Sequence, residues 1–508
     1  MKTPIQSILN IGSGGIIIDA ECHLSNGLPN IVIVGLGNKA IDESRERIRS
    51  AFASNNIRMP KKRIIINLAP ADIPKESTSL DLAIALSILQ ANEQIKYRFT
   101  AKEAVIGELG LDGNIKAVRG LIGKLLIGKE HGIDRFIIPA KNLEQALLVP
   151  NIAVAPVESI AQVYRYLTGE DEIVWCQMDG RRPSTDKHLT ACNALSEIVG
   201  QEVAKRALAI SAAGGHNIFL NGPPGTGKSM LAKALPHLLP PLSQEEMLEI
   251  THLHSLTSTD YGQLVTTRPF RSPHHSASYV SIAGGGHNLR PGEITLSHRG
   301  VLFLDEIPEF SRPTIEALRQ PLEDRTITLA RSKNTVTYPA NFILVATANP
   351  CPCGYYGTSR SCSCPAYLIY RYQKKLSGPI MDRIDLYVNV EEVRHSGLLN
   401  TPKNDDPSRN MQKAVAEARN HQMQRFNSPT KLNADMTNQD IRHTSKLTHE
   451  SQQILNQAAE RLKLSARSYM RIIKVSRTIA DLDNSDIIKS EHLAESLQYR
   501  KHNPDTLY

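Results

Sequence analysis

The chain has 508 residues, enough for two to four domains, and its 41% apolar and 22% charged residues exclude a largely disordered protein. A net charge of +8 permits a nucleic-acid partner without requiring one. No stretch approaches the ~18 unbroken apolar residues of a membrane span, and the N-terminus lacks a secretory pattern, so a cytoplasmic protein with no membrane partner is expected.

Residues 1–170 alternate strand-like and helix-like patterns. GIIIDAECHL and NIVIVGL read as strands, and residues 38–54 place Ile41, Ile48 and Phe52 near helical spacing. A strand (RIIINLAP), a helix (LDLAIALSILQA), a turn at Asp112-Gly113, a helix (LIGKLLIGKEHG) and a strand (RFIIPA) follow. This is an α/β domain in its own right. Residues 171–192 lack periodicity and read as a linker.

A second α/β block spans residues 193–393. Its strongest signal is Gly222-Pro223-Pro224-Gly225-Thr226-Gly227-Lys228-Ser229, between an apolar strand and a helix. Glycines let backbone N–H groups wrap a phosphate chain, and the helix N-terminus adds partial positive charge. Lys228 would reach the β and γ phosphates of ATP, and Ser229 would hold Mg²⁺. Residues 252–298 carry six histidines without a metal-ligand spacing. Val301–Leu304 then form a short apolar run ending in Asp305 and Glu306. Strand ends of this kind face ligands in open α/β sheets. Asp305 would hold the Mg²⁺ through water, and Glu306 would polarise the attacking water.

RTITLARSKNTVTYPANF alternates like a hairpin around Arg331 and Lys333, and residues 325–375 carry seven basic residues and no acidic one. A basic hairpin suits a DNA backbone, although a solvated tip is the plain alternative. The strand ILVATAN ends in Asn349, which could position water beside the γ phosphate, with a strand-end Asn capping a turn as the plain alternative. Cys351, Cys353, Cys362 and Cys364 form CxC, eight residues, CxC. Four thiolates in one loop suit a structural Zn²⁺, with buried thiols or a redox pair as alternatives. Residues 394–508 form a connector and a polar helical tail.

GPPGTGKS, VLFLDE and VATANP, followed by LSGPIMDRIDL and LSARSYMRIIKVSRTIADL, resemble the AAA+ ATPases. More narrowly they resemble the magnesium-chelatase-related branch and its bacterial ComM/YifB family, over nearly the whole chain. The resemblance implies a Lon-protease-like N-terminal α/β domain, an AAA+ P-loop α/β domain and a helical lid. It implies that Val199–Leu208 lies over the adenine, that Arg383 acts on a neighbouring subunit's ATP, and that Arg467 senses the γ phosphate. It also implies a homohexamer with two pore hairpins, one within residues 270–298. PKESTSLD aligns Ser79 with the Lon serine, but Ile122 stands where the lysine base belongs and Lys124 lies two residues away. Proteolysis is therefore not expected. The implied activity is ATP-driven DNA branch migration supporting natural transformation. Its rivals are a chelatase-type motor that remodels a partner protein and an ATP-dependent protease.

Overall fold

The computed structural model describes residues 3–11, 14–35, 39–73, 75, 77–177, 195, 198–257, 264–286, 289–331, 334–358, 360–376, 378–392 and 407–500. Most of the expected 171–192 linker and of the connector after 393 lies outside them. The fold is mixed α/β, and the chain divides into two compact units. One holds Met1–Thr185, Leu242–Thr266 and Ala330–Tyr338; the other holds Asp186–Pro241, Thr267–Leu329 and Pro339–Tyr508.

The first unit is built on an eight-stranded mixed sheet. Its strands are β1 (Ile5–Ile11), β2 (Gly14–Ser25), β3 (Asn30–Val34), β4 (Arg63–Ala69), β5 (Glu103–Val105), β6 (Arg135–Pro139), β7 (Ala153–Val157) and β8 (Cys176–Gln177). They run in the order β8-β7-β6-β5-β1-β2-β4-β3. β1 pairs antiparallel with β2 from Ile5 opposite Ala20 to Ile11 opposite Gly14, and β5, β6 and β7 run parallel. In β4, Ile64, Ile66 and Leu68 are buried at every second position, as strand geometry requires.

The helix Asp81–Ala91 is buried from Asp81 to Leu89 and packs on β1 and β2. The Asp81 carboxylate accepts from Ser44 Oγ (2.5 Å), Arg47 Nε (2.7 Å) and Leu109 N (3.3 Å). A charge that deep persists because it is paired and hydrogen-bonded. The helix Gln244–Ser255 also belongs to this unit and packs on the helix Leu121–Glu130. Gly123 makes room for it: a Cβ there would lie 2.3 Å from His252 Cε1.

The second unit carries a five-stranded parallel sheet. Its strands are β9 (Ile218–Asn221), β10 (Phe270–Arg271), β11 (Val301–Leu304), β12 (Ile343–Ala348) and β13 (Leu386–Asn389), in the order β10-β11-β12-β9-β13. Every residue of β11 and β12 is buried, which is why VLFL and, apart from Thr347, ILVATA read as continuous apolar runs. The helices Glu202–Gly214, Lys228–Leu238, Pro407–Phe426 and Ala466–Leu482 share its core. Met436, Ile441, Leu455, Ile488 and Leu493 form a smaller helical core beside Ile472 and Ile473.

Thr326–Arg331 and Asn334–Pro339 form a two-stranded hairpin, with Ile327, Leu329, Val336 and Tyr338 buried in alternation. Within 270–298, besides β10, the described residues show only a two-residue pairing, Gly284–Gly285 with Arg290–Pro291. Among the described residues, no helix is long and apolar enough to cross a membrane.

Candidate nucleotide and cysteine sites

β9 delivers the chain into the turn Gly222–Gly227, and the helix Lys228–Leu238 leaves it. Gly225 and Gly227 take φ of +84° and +87°, a region side chains disfavour, so the turn needs glycine there. Lys228 Nζ donates to the carbonyls of Gly222 (2.6 Å) and Pro223 (2.8 Å) and to Asn349 Oδ1 (3.1 Å). Thr226 Oγ1 donates to Pro223 O at 3.0 Å, tightening the same turn. Burial holds the Lys228 ammonium below its ordinary pKa, with Asp305 and Glu306 opposing the shift.

The acids lie just past β11. Ser229 Oγ donates to Asp305 Oδ2 at 3.2 Å, and Asn349 Nδ2 donates to Glu306 Oε1 at 3.0 Å. Asn349 therefore joins the lysine to the glutamate. Glu306 sits at φ +51°, an unusual conformation for a non-glycine residue, of the kind held at functional sites. A residue not anticipated from sequence fixes both acids. Thr347 Oγ1 donates to Asp305 Oδ1 (2.6 Å) and accepts from the Glu306 N–H (2.9 Å). The available signal was a hydroxyl in an otherwise apolar buried strand, two residues before Asn349.

Val199 is half-buried just before Gln201, whose side chain donates to Glu391 O at 2.6 Å. Val390 N in turn donates to Asn221 O at 2.7 Å, which ties that segment to the start of the phosphate turn.

Arg383 and Arg467 form a separate cluster. Both guanidiniums bond to Glu323, Arg383 also donates to Pro379 O at 2.5 Å, and neither bonds to Lys228, Asp305, Glu306 or Asn349. Arg383, foremost, holds the Glu323 carboxyl below its usual range, with Arg467 adding to it. Asn217 Nδ2 fixes the Arg383 carbonyl at 3.0 Å, and Arg471 Nη1 fixes the Ile384 carbonyl at 2.7 Å. The strand entry and the helix carrying Arg467 thus brace one loop. Lys333 and the Arg331 side chain lie outside the described residues.

The four cysteines of the CxC pairs gather with all Sγ atoms within 4.8 Å of one another. Cys351, Cys353 and Cys362 are separated by 3.3–3.7 Å. Thiolates about 2.3 Å from one zinc ion in a tetrahedron stand about 3.8 Å apart, so the set fits that metal. The Tyr355 N–H draws the Cys353 thiol down to about 6, aided by Cys351. Gly354, at φ +86°, faces the phosphate turn, and a Cβ there would lie 2.6 Å from Pro224 Cδ.

Among the described residues, only the four cysteines group as metal donors. His252 is buried with both ring nitrogens unbonded, and burial pushes its pKa down to about 4. His287 lies outside the described residues. In the first unit, Ser79 Oγ pairs with Ser77 Oγ at 2.8 Å, while the buried Lys124 Nζ donates to Ile8 O at 2.6 Å. Among the described residues Ser79 and Lys124 are not bonded to each other.

Comparison with known proteins decides the family. The chain is 38% identical to competence protein ComM of Haemophilus influenzae over 98% of its own length and 97% of that protein's. It belongs to the ComM/YifB family of magnesium-chelatase-related proteins. YifB of Escherichia coli (strain K12) is 41% identical, covering 95% of this chain and 94% of that one. Family profiles described as magnesium chelatase, subunit ChlI, match residues 194–398 and, for the C-terminal part, 405–500; one described as subunit ChlI of Mg-chelatase matches 20–142. The magnesium-chelatase 38 kDa subunit of Rhodobacter capsulatus is 26% identical over 30% of this chain and 49% of its own length. This is a family of magnesium-chelatase-type AAA+ ATPases, and ATP and Mg²⁺ are its implied cofactors.

Proposed function

We propose that the chain is a cytoplasmic, homohexameric ATP-driven motor that moves or remodels DNA, with branch migration during natural transformation as its task. The observation that carries the ATPase part is the single network joining Lys228, Asn349 and Glu306, beside Ser229, Asp305 and Thr347. That the Haemophilus influenzae relative is a competence protein supports the DNA part.

In this reading Lys228 leaves the Gly222 and Pro223 carbonyls for the β and γ phosphates. Ser229 and Asp305 would hold the Mg²⁺, which would supply charge neutralisation at the phosphates. Glu306 takes the proton of the attacking water, and Asn349 keeps that carboxylate aimed. Arg383 would reach a neighbouring subunit's ATP, and its shared counter-ion suggests that Arg467 moves with it. Glu323 keeps both guanidiniums neutralised until phosphate oxygens compete for them. The four-cysteine loop would hold a structural Zn²⁺, closed and without an open catalytic position. The N-terminal unit is read as a Lon-protease-like domain without peptidase activity, and the C-terminal helices as the lid.

The test is the ATPase rate of the purified chain alone, with single-stranded DNA and with forked DNA. Several-fold stimulation by DNA is expected. An ATPase indifferent to both DNAs would overturn the DNA-motor reading and favour remodelling of a partner protein.

A further inference from the structure

The helix Ala366–Lys374, AYLIYRYQK, follows the cysteine loop directly and is joined to it by Gln373 Nε2 donating to Pro350 O at 3.0 Å. Ile369 and Tyr372 are buried and anchor it. Tyr367, Tyr370, Arg371 and Lys374 recur at three- and four-residue spacing, share the opposite face and are all exposed. Tyr367 and Tyr370 are 67% and 65% exposed, and Tyr356 on the cysteine loop is 51% exposed. Tyrosines usually bury their rings, so rings displayed among cations need a reason.

The chemistry of this face is specific. Lys374 Nζ lies 5.2 Å from the Tyr370 ring centre on this face; on the preceding loop Arg360, paired with Glu392 at 3.9 Å, lies 5.3 Å from the ring centre of Tyr355. Arg371 and Lys374 have no carboxylate partner among the described residues, and residues 325–375 contain no acidic residue. Flat rings beside unpaired cations match one ligand class: bases that stack, linked by phosphates that pair with the cations. A duplex keeps its base faces covered, whereas a single strand offers them.

We propose that the exposed face of Ala366–Lys374, with Tyr367 and Tyr370 as stacking rings and Arg371 and Lys374 as phosphate contacts, is a binding platform for single-stranded DNA. The proposal rests on the DNA-motor reading and adds a contact surface distinct from the hairpin at Arg331 and Lys333. Stacking tolerates any base, so binding here is indifferent to sequence.

The test uses the full chain and a fluorescein-labelled oligodeoxythymidine, with anisotropy read across a salt series. Tyr367→Ala with Tyr370→Ala should weaken binding at least about tenfold, given ~1–3 kcal/mol per stacked base. Its salt dependence should stay unchanged, because no phosphate contact is lost. Tyr367→Phe with Tyr370→Phe should bind within a few-fold of wild type. Arg371→Ala with Lys374→Ala should instead flatten the log–log salt slope by roughly 0.7 per lost contact. Melting midpoints report whether each variant is folded.

A wild-type chain that binds DNA while the tyrosine-to-alanine variant binds equally well would overturn this inference and leave the motor reading standing. A wild-type chain that binds no DNA would overturn both. Loss of assembly in the alanine variant by sedimentation, with DNA affinity unchanged, would make this face a contact between copies and overturn the proposal.

Discussion

Thr347 does for the two acids what neither does for itself. Its hydroxyl ties the Asp305 carboxylate to the Glu306 backbone, and it sits in a strand buried at every position. Thr347→Val keeps the shape and removes both bonds, leaving the part-buried Glu306 N–H unpaired. We expect kcat to fall about tenfold to a hundredfold. Glu306→Gln should bind ATP but turn it over far more slowly still, because the base itself is gone. If Thr347→Val matches wild type in steady-state ATPase, the threonine is packing only. Lys124 makes a different prediction. Burial pushes its pKa down to about 7, against 10.5 for an exposed lysine. Between those values the unfolded chain binds more protons than the folded one, so stability rises with pH and is lost as pH falls to about 7. Lys124→Met should remove that rise, which is at most about 1.4 kcal/mol per pH unit. The single tryptophan, Trp175, packs against the core of the same unit, so urea unfolding followed by its fluorescence reads the effect.

The helix Ala466–Leu482 is held by charge as well as by apolar packing. Arg477, 1% exposed, pairs with Asp481 at 3.0 Å, and Arg425 Nη1 and Asn433 Nδ2 reach the other oxygen of Asp481 at 2.9 and 2.8 Å. Asp481→Ala would leave Arg477 buried without its carboxylate, and should cost about 3–5 kcal/mol. Hydrogen exchange along this helix is the check; protection equal to wild type would show that the cluster adds little. Elements of this kind mark the limit of what sequence made legible. β2, β4, β11 and β12 could be read because each has an unbroken or alternating apolar pattern. β1, IQSILNI, spaces its apolar residues ambiguously between strand and helix, and β5 is only three residues long. The phosphate turn was legible because its parts are consecutive. Thr347 reaches Asp305 across 42 positions, and Glu323 reaches Arg383 and Arg467 across 60 and 144, which no local pattern encodes.

The assembly prediction belongs to the molecule as a whole. Arg383→Ala should lower ATPase by roughly 10³-fold or more while ATP affinity stays near wild type. Lys228→Ala should fail for the opposite reason, having lost its own phosphate contact. Mixed together, some interfaces would pair an intact Arg383 with an intact Lys228. ATPase should then exceed that of either variant alone. A mixture that stays inactive at every ratio would remove Arg383 from its role between subunits.

The loop that gathers the four cysteine thiols also packs on the phosphate turn, through Gly354 against Pro224. A ligand that orders one side of that contact must favour the ligand on the other, by the same factor in both directions. With zinc in the loop as proposed, ATP should therefore tighten the zinc affinity read by competition with a chromogenic chelator, and zinc-stripped protein should bind ATP more weakly by that same factor. Gly354→Ala, which pushes a methyl group towards Pro224, should weaken ATP binding even with zinc retained. Equal zinc affinities with and without nucleotide would mean that the two sites share a wall but no free energy.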